Sequence, residues 1–190
     1  MSLISALAIA LLALGQESNL ANIGPAPPVE LTDSAGLPFS LAALQGKVIL
    51  VSFLYTTCPG TCPATAAKLD RVRRGLRDRG LWGRSVEFVS ITLDPARDSP
   101  EALVRYARIY RAEPSTWHFL TGEPARVARV IASWDMWVKP TPSGAIDHPS
   151  RLFLVDPRGN LREIYNLESL TPEAVGADVR ALVAEEAGAR

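Results

Sequence analysis

Val48 to Tyr55 is an almost unbroken apolar run, and the chain's only two cysteines follow it at once, in Cys58-Pro59-Gly60-Thr61-Cys62-Pro63. Continuous apolar sequence of this length predicts a strand, Lys47 to Tyr55, buried on both faces. Two thiols therefore sit at the mouth of a buried strand, with three residues between them. They can close a disulfide, exchange one, or hold a soft metal ion.

The pattern around this strand alternates strands with helices. Val29 to Thr32 and Leu37 to Ser40 flank the turn signal Asp33-Ser34-Ala35-Gly36 and predict an N-terminal β-hairpin. A helix is expected from Pro63 to Arg79, with Ala66, Leu69, Val72 and Leu76 at spacings of three and four. Ser85 to Thr92 is the next strand. Ser99 and Pro100 open a second helix as cap and first helical residue. A strand at Trp117–Leu120 and a helix at Glu123–Ser133 follow. Trp134 to Ile146 is irregular. Arg151–Val155 and Leu161–Tyr165 flank a Pro/Gly turn, and a last helix runs from Thr171 to about Glu186. This order predicts an α/β fold, a central mixed β-sheet flanked by helices with one mixed-direction edge.

At 190 residues, 47% apolar and 21% charged, the chain can bury a core without disulfide support. Stability therefore does not require its cysteines, which points to a chemical use for them. Twenty basic residues balance twenty acidic ones, so no global field draws it to nucleic acid. Arg71, Arg73, Arg74, Arg77 and Arg79 read as a solvated helix face, interspersed with Asp70 and Asp78.

Leu3 to Leu14 carries no charge. About 20 residues are needed to cross a bilayer, so this run suits a signal-peptide core better. Residues 1–15 are read as a signal peptide or N-terminal membrane anchor, 16–28 as a linker, and 29–190 as the functional domain. The expected location is an oxidising compartment outside the cytoplasm.

Both cysteines precede proline, which disfavours the α conformation in the residue before it. Cys62 is therefore expected near the helix cap, with Pro63 opening the helix. The positive helix end favours a thiolate. Further metal ligands must come from two histidines. His118, in the apolar Trp117-His118-Phe119-Leu120, reads as a core histidine. His148 lies in a loop beside Asp147, and a neighbouring carboxylate orients a ligating imidazole. A set of two cysteines and one histidine suits Cu(I), accepts Cu(II) with added ligands, and is poor for magnesium or calcium.

Four segments together resemble the SCO/SenC family of thioredoxin-fold copper proteins. They are Phe53-Leu54-Tyr55-Thr56-Thr57-Cys58-Pro59-Gly60-Thr61-Cys62-Pro63, then Ile91-Thr92-Leu93-Asp94-Pro95-Ala96-Arg97-Asp98-Ser99-Pro100, then Trp117-His118-Phe119-Leu120-Thr121-Gly122, and Asp147-His148 ahead of Leu154-Val155-Asp156-Pro157-Arg158-Gly159. The resemblance spans about Pro28 to Glu186. It implies a thioredoxin-like fold and a copper site of Cys58, Cys62 and His148. It also implies delivery of copper to the dinuclear centre of cytochrome c oxidase, or reduction of that centre's cysteines. The implied partner is the copper-bearing oxidase subunit or another exported cuproprotein, and the implied location is the bacterial periplasm, free or anchored to the inner membrane. Pro149 stands where the family usually has a small polar residue. Asp94 and Asp98 fall in the family's Asp-Pro loop; both read as capping and turn residues, with a place beside the copper as the alternative. Asp147 carries the same two readings.

Two functions therefore stand side by side: a copper chaperone, and a thiol-disulfide oxidoreductase in which Cys58 attacks, Cys62 resolves, and a further thiol-disulfide reductant resets the pair. Copper or redox sensing, a peroxidase, and a purely structural disulfide are further readings of the same thiols.

Overall fold

The computed structural model describes residues 19–167 and 170–188. The expected signal or anchor segment, residues 1–15, lies outside them. The strands are β1 Gly24–Pro25, β2 Glu30–Asp33, β3 Pro38–Ser40, β4 Val48–Leu54, β5 Val86–Thr92, β6 Trp117–Thr121, β7 Lys139–Pro140, β8 Ile146–Asp147, β9 Arg151–Val155 and β10 Asn160–Asn166. The helices are α1 Thr61–Arg77, α2 Pro100–Ile109, α3 Pro124–Ser133 and α4 Pro172–Gly188.

Eight strands form one sheet in the order β1-β10-β9-β4-β5-β6-β2-β3. Only β4, β5 and β6 run parallel, joined by the crossover helices α1 and α2. All residues of β4 and β5 are buried, as strands covered on both faces must be. The sequence predicts one mixed-direction edge, and the structure has two. The β9–β10 hairpin joins β4 antiparallel, and the β2–β3 hairpin joins β6 antiparallel. The reason is tertiary: β6 is the last parallel strand, and its free edge takes up the N-terminal hairpin, with Thr32 opposite Thr121.

Within the expected linker, Gly24 and Pro25 form β1 along β10. Arg162 reinforces this, donating to the carbonyls of Leu20 and Ala21 while pairing with Asp156 and Glu185.

Phe88, Trp117, Phe119 and Phe153 are among the largest fully buried side chains. Each such apolar side chain contributes about 1.5–3 kcal/mol relative to exposure. One polar thread crosses this core: Trp117 Nε1 donates to Ser90 Oγ at 3.0 Å, and Ser90 Oγ lies 2.8 Å from Ser52 Oγ. Every member has a partner, so the thread carries little of the penalty of buried polar groups. α4 packs against α1 and β4, α2 against β6, and α3 against β2.

The arginine cluster is less uniform than its sequence reading. Arg73 is buried, donating to Asp70 and to the Tyr110 carbonyl, whereas Arg71, Arg74, Arg77 and Arg79 are exposed. Arg73 lies four residues after Leu69 and three before Leu76, within the buried stripe of the helix. There its stem can be covered while the guanidinium bonds.

Candidate metal centre

Three segments converge beyond the C-terminal end of β4: the 55–62 loop, the 94–98 loop after β5, and the short β7–β8 ribbon ahead of β9. In α/β sheets, the carboxyl ends of parallel strands are where sites form.

The thiols come first. Helix α1 begins at Thr61, two residues earlier than expected, so Cys62 lies in its first turn instead of at its cap. Pro63 is tolerated there because first-turn N–H groups have no helical acceptor, so its missing one costs nothing. The N-cap, Gly60, has no side chain to satisfy those donors. Cys58 does it instead: its Sγ accepts the Cys62 N–H at 3.4 Å.

This splits the two sulfurs chemically. Half-buried Cys58 suffers some desolvation, which raises a thiol pKa. The N–H groups of Cys62 and Gly60 donate to its sulfur and outweigh this, so its pKa falls below the ordinary value. Cys62 is 3% exposed. Burial pushes its pKa far up; the Tyr55 N–H opposes this, while the charges of Cys58 and Asp98 add to it. Both are free thiols. Iodoacetamide is therefore expected to modify Cys58 at a pH below the normal thiol range, because a lowered pKa brings the thiolate in earlier. Cys62 should stay unmodified between about pH 6 and 9. Peptide mass spectrometry resolves the two sites, and equal rates would contradict this asymmetry.

His148 reaches the same place from the far side of the sequence. Its Nε2 lies 4.0 Å from Cys62 Sγ. Its Nδ1 lies 2.9 Å from the Pro149 carbonyl oxygen. A carbonyl only accepts, so Nδ1 carries the proton and Nε2 presents its lone pair towards the sulfur. Pro149 thus supplies, through its backbone, the orienting contact expected of Asp147. Asp147 itself is exposed and pairs through β8 with Lys139 on β7.

The donor chemistry fits a soft ion: two sulfurs and an imidazole. For metal–sulfur and metal–nitrogen bonds of about 2.3 and 2.0 Å, a shared trigonal ion needs ligand atoms about 3.7 Å apart. The 4.0 Å between Cys62 and His148 is near this span. The Cys58 sulfur is turned to the helix amide, and among the described residues no group of three His, Cys, Asp or Glu side chains is gathered closely enough to hold a metal as it stands.

Asp98 and Tyr55 hold the site together; the sequence reads Asp98 as a capping or turn residue, with a place beside the copper as the alternative, and gives Tyr55 no role. Asp98 is fully buried. Its carboxylate accepts from the Thr56 N–H at 3.2 Å, the Thr56 hydroxyl at 2.6 Å and the Thr92 hydroxyl at 2.6 Å. It therefore ties the cysteine loop to the end of β5. Asp94 does not take this part; its side chain pairs with Arg97. Tyr55 is buried, and its hydroxyl contacts the backbone of Ile146. Its position at the end of the apolar run, three residues before Cys58, was the available signal. His118 stands apart, 2.7 Å from Glu87 and against the Phe39 ring, as a core histidine.

Comparison with known proteins places this geometry. The SCO1/SenC family model matches residues 19–184. The SCO1 protein homolog of Bacillus subtilis is 30% identical over 148 residues, covering 76% of this chain and 75% of that protein. The structure of Bradyrhizobium japonicum ScoI with copper bound superposes with a TM-score of 0.71 at 31% identity, covering 84% of this chain and 99% of that one. BsSco, described with a disulfide switch as a member of the Sco family of cytochrome c oxidase assembly proteins, gives a TM-score of 0.74 at 26% identity, covering 88% and 97%. The mixed sheet flanked by helices is the thioredoxin-like arrangement these relatives share. The chain described here belongs to the SCO1/SenC family.

Proposed function

We propose that this chain binds copper through Cys58, Cys62 and His148 and delivers it to the dinuclear copper centre of cytochrome c oxidase. The observation that carries the reading is His148 Nε2 facing Cys62 Sγ at 4.0 Å, from a segment 86 residues away. A copper-bound relative and a relative assigned to cytochrome c oxidase assembly support it. Two thiolates and an imidazole form a three-coordinate Cu(I) site. That leaves one flank open to an incoming thiolate of the target, so the ion passes without release. Residues 29–190 are the copper-binding unit in this reading. Residues 1–15 serve as signal or anchor, and the domain works in the bacterial periplasm.

A Cu(I) titration of the reduced protein against a chromophoric chelator tests it. One tightly bound copper is expected, with affinity in His148→Ala lower by at least the roughly 10- to 100-fold that contacts behind a metal's ligands carry. Affinity indifferent to His148 would remove the proposed site.

The thiol asymmetry favours a second reading, a thiol-disulfide oxidoreductase. The Cys58 thiolate attacks one sulfur of a partner disulfide and expels the other as a thiolate; Cys62 then attacks Cys58 Sγ in the mixed disulfide and expels the first. The partner gains two electrons as a dithiol, and Cys58–Cys62 becomes the disulfide. In that case His148→Ala leaves the activity intact.

A further inference from the structure

His148 is carried by a ribbon of two short strands, β7 and β8, which pairs with no strand of the main sheet. Its tip turns at Gly144, whose φ of +80° suits glycine, with Thr141 N bonded to Ala145 O. A two-stranded ribbon of this size does not hold a position by itself. Some other contact must decide where His148 sits.

Among the described residues, two side chains hydrogen-bond to the stretch from Lys139 to Asp147 from outside it. Arg97 Nη2 meets the Gly144 carbonyl at 3.4 Å from an exposed position at the tip. The Tyr55 hydroxyl accepts the Ile146 N–H at 3.2 Å and lies 3.4 Å from the Ile146 carbonyl as its donor. Ile146 is two residues before His148. The Tyr55 ring is 2% exposed, so it is fixed by the core at the end of β4. It also meets the His148 ring edge-on, with centroids 5.9 Å apart at 84°. One rigid side chain therefore touches the ribbon's backbone and the imidazole together, and sits three residues from Cys58.

We propose that Tyr55 is a positioning residue: its hydroxyl latches Ile146 and thereby sets the distance of His148 Nε2 from Cys62 Sγ. The inference rests on the copper-binding reading of Cys58, Cys62 and His148. Phenylalanine at this position keeps the buried ring and its contact with His148 but removes both bonds to Ile146. The ribbon then samples positions in which the imidazole is farther from the sulfurs, and each productive encounter costs the ordering the hydroxyl had supplied.

The experiment is a double-mutant cycle of Tyr55→Phe and His148→Ala in the full chain, read by Cu(I) competition and by nitrogen hyperfine structure in the Cu(II) electron paramagnetic resonance spectrum. Tyr55→Phe is expected to fold as wild type, to bind Cu(I) about five- to tenfold more weakly, and to weaken the nitrogen hyperfine signal. With His148 already replaced, the same change should shift affinity less than about twofold. Tyr55→Phe at wild-type affinity, or losing as much without His148 as with it, would overturn the latch while leaving the copper site standing. Wild-type affinity indifferent to His148→Ala would overturn the site itself, and the latch with it.

Discussion

Cys62→Ser is expected to abolish competitive Cu(I) binding, with a loss beyond about 100-fold. Even contacts behind a metal's ligands are worth 10- to 100-fold, and here a ligand itself is replaced. Serine keeps the size of the side chain, so the buried first turn of α1 should persist. Its hydroxyl is a hard donor that Cu(I) does not favour. Metal binding also has to displace the proton that burial holds on Cys62, so copper uptake by the wild type should release protons and weaken as pH falls. Cys58→Ser should lose affinity comparably. Cys58→Ala should in addition loosen the start of α1, because it removes the Sγ that accepts the Cys62 N–H and Gly60 offers no side chain in its place. Chelator competition and far-ultraviolet circular dichroism separate the two effects. Unchanged copper affinity in Cys62→Ser would refute the three-ligand account.

Asp98→Ala is expected to cost about 2–4 kcal/mol of folding stability. The carboxylate accepts the Thr56 N–H, the Thr56 hydroxyl and the Thr92 hydroxyl in a fully buried position. Removing it strands those donors, at about 1–3 kcal/mol for each one left unsatisfied. Relief of the charge's own burial offsets part of the loss. Asp98→Asn keeps one carbonyl acceptor and should cost about half as much. Urea denaturation provides the measurement, and an Asp98→Ala midpoint equal to wild type would show that the loop is held by something else. The copper readout should move with it, because Thr56 is the second residue before Cys58 and the loop loses its tie to β5.

The arrangement explains why the site is built from three loops yet stays together. Each cluster member is tied to a buried strand end: Cys58 and Tyr55 to β4, Asp98 to Thr92 of β5, and His148 to the start of β9. Loops supply the freedom that exchange of a metal or a disulfide requires, and the strand ends supply the registration.

Much of this was legible from residue order. β4 announces itself as an apolar run, α2 by its cap Ser99 and its proline start, and the β2–β3 hairpin by Asp33–Gly36. These signals are local, set by steric and hydrogen-bonding preferences within a few residues, so a string of letters carries them. The CxxxC spacing identified the thiols for the same reason, and likeness to a known family pointed to His148.

What the letters could not carry are the contacts that cross the sheet. Gly24–Pro25 does not look like a strand; it becomes one because β10 has a free edge. Antiparallel pairing at both edges depends on which strand ends up last. Tyr55 and Ile146 are 91 residues apart and Thr56 and Asp98 are 42 apart, and neither pair has a sequence signature. The Pro149 carbonyl, which selects the His148 tautomer, is a backbone atom that every residue possesses. The sequence by itself determined the main helices and strands, the buried strand β4 and the two thiols at its end. Only the tertiary structure decided which buried polar groups meet there, because that choice follows from packing between segments distant in the chain.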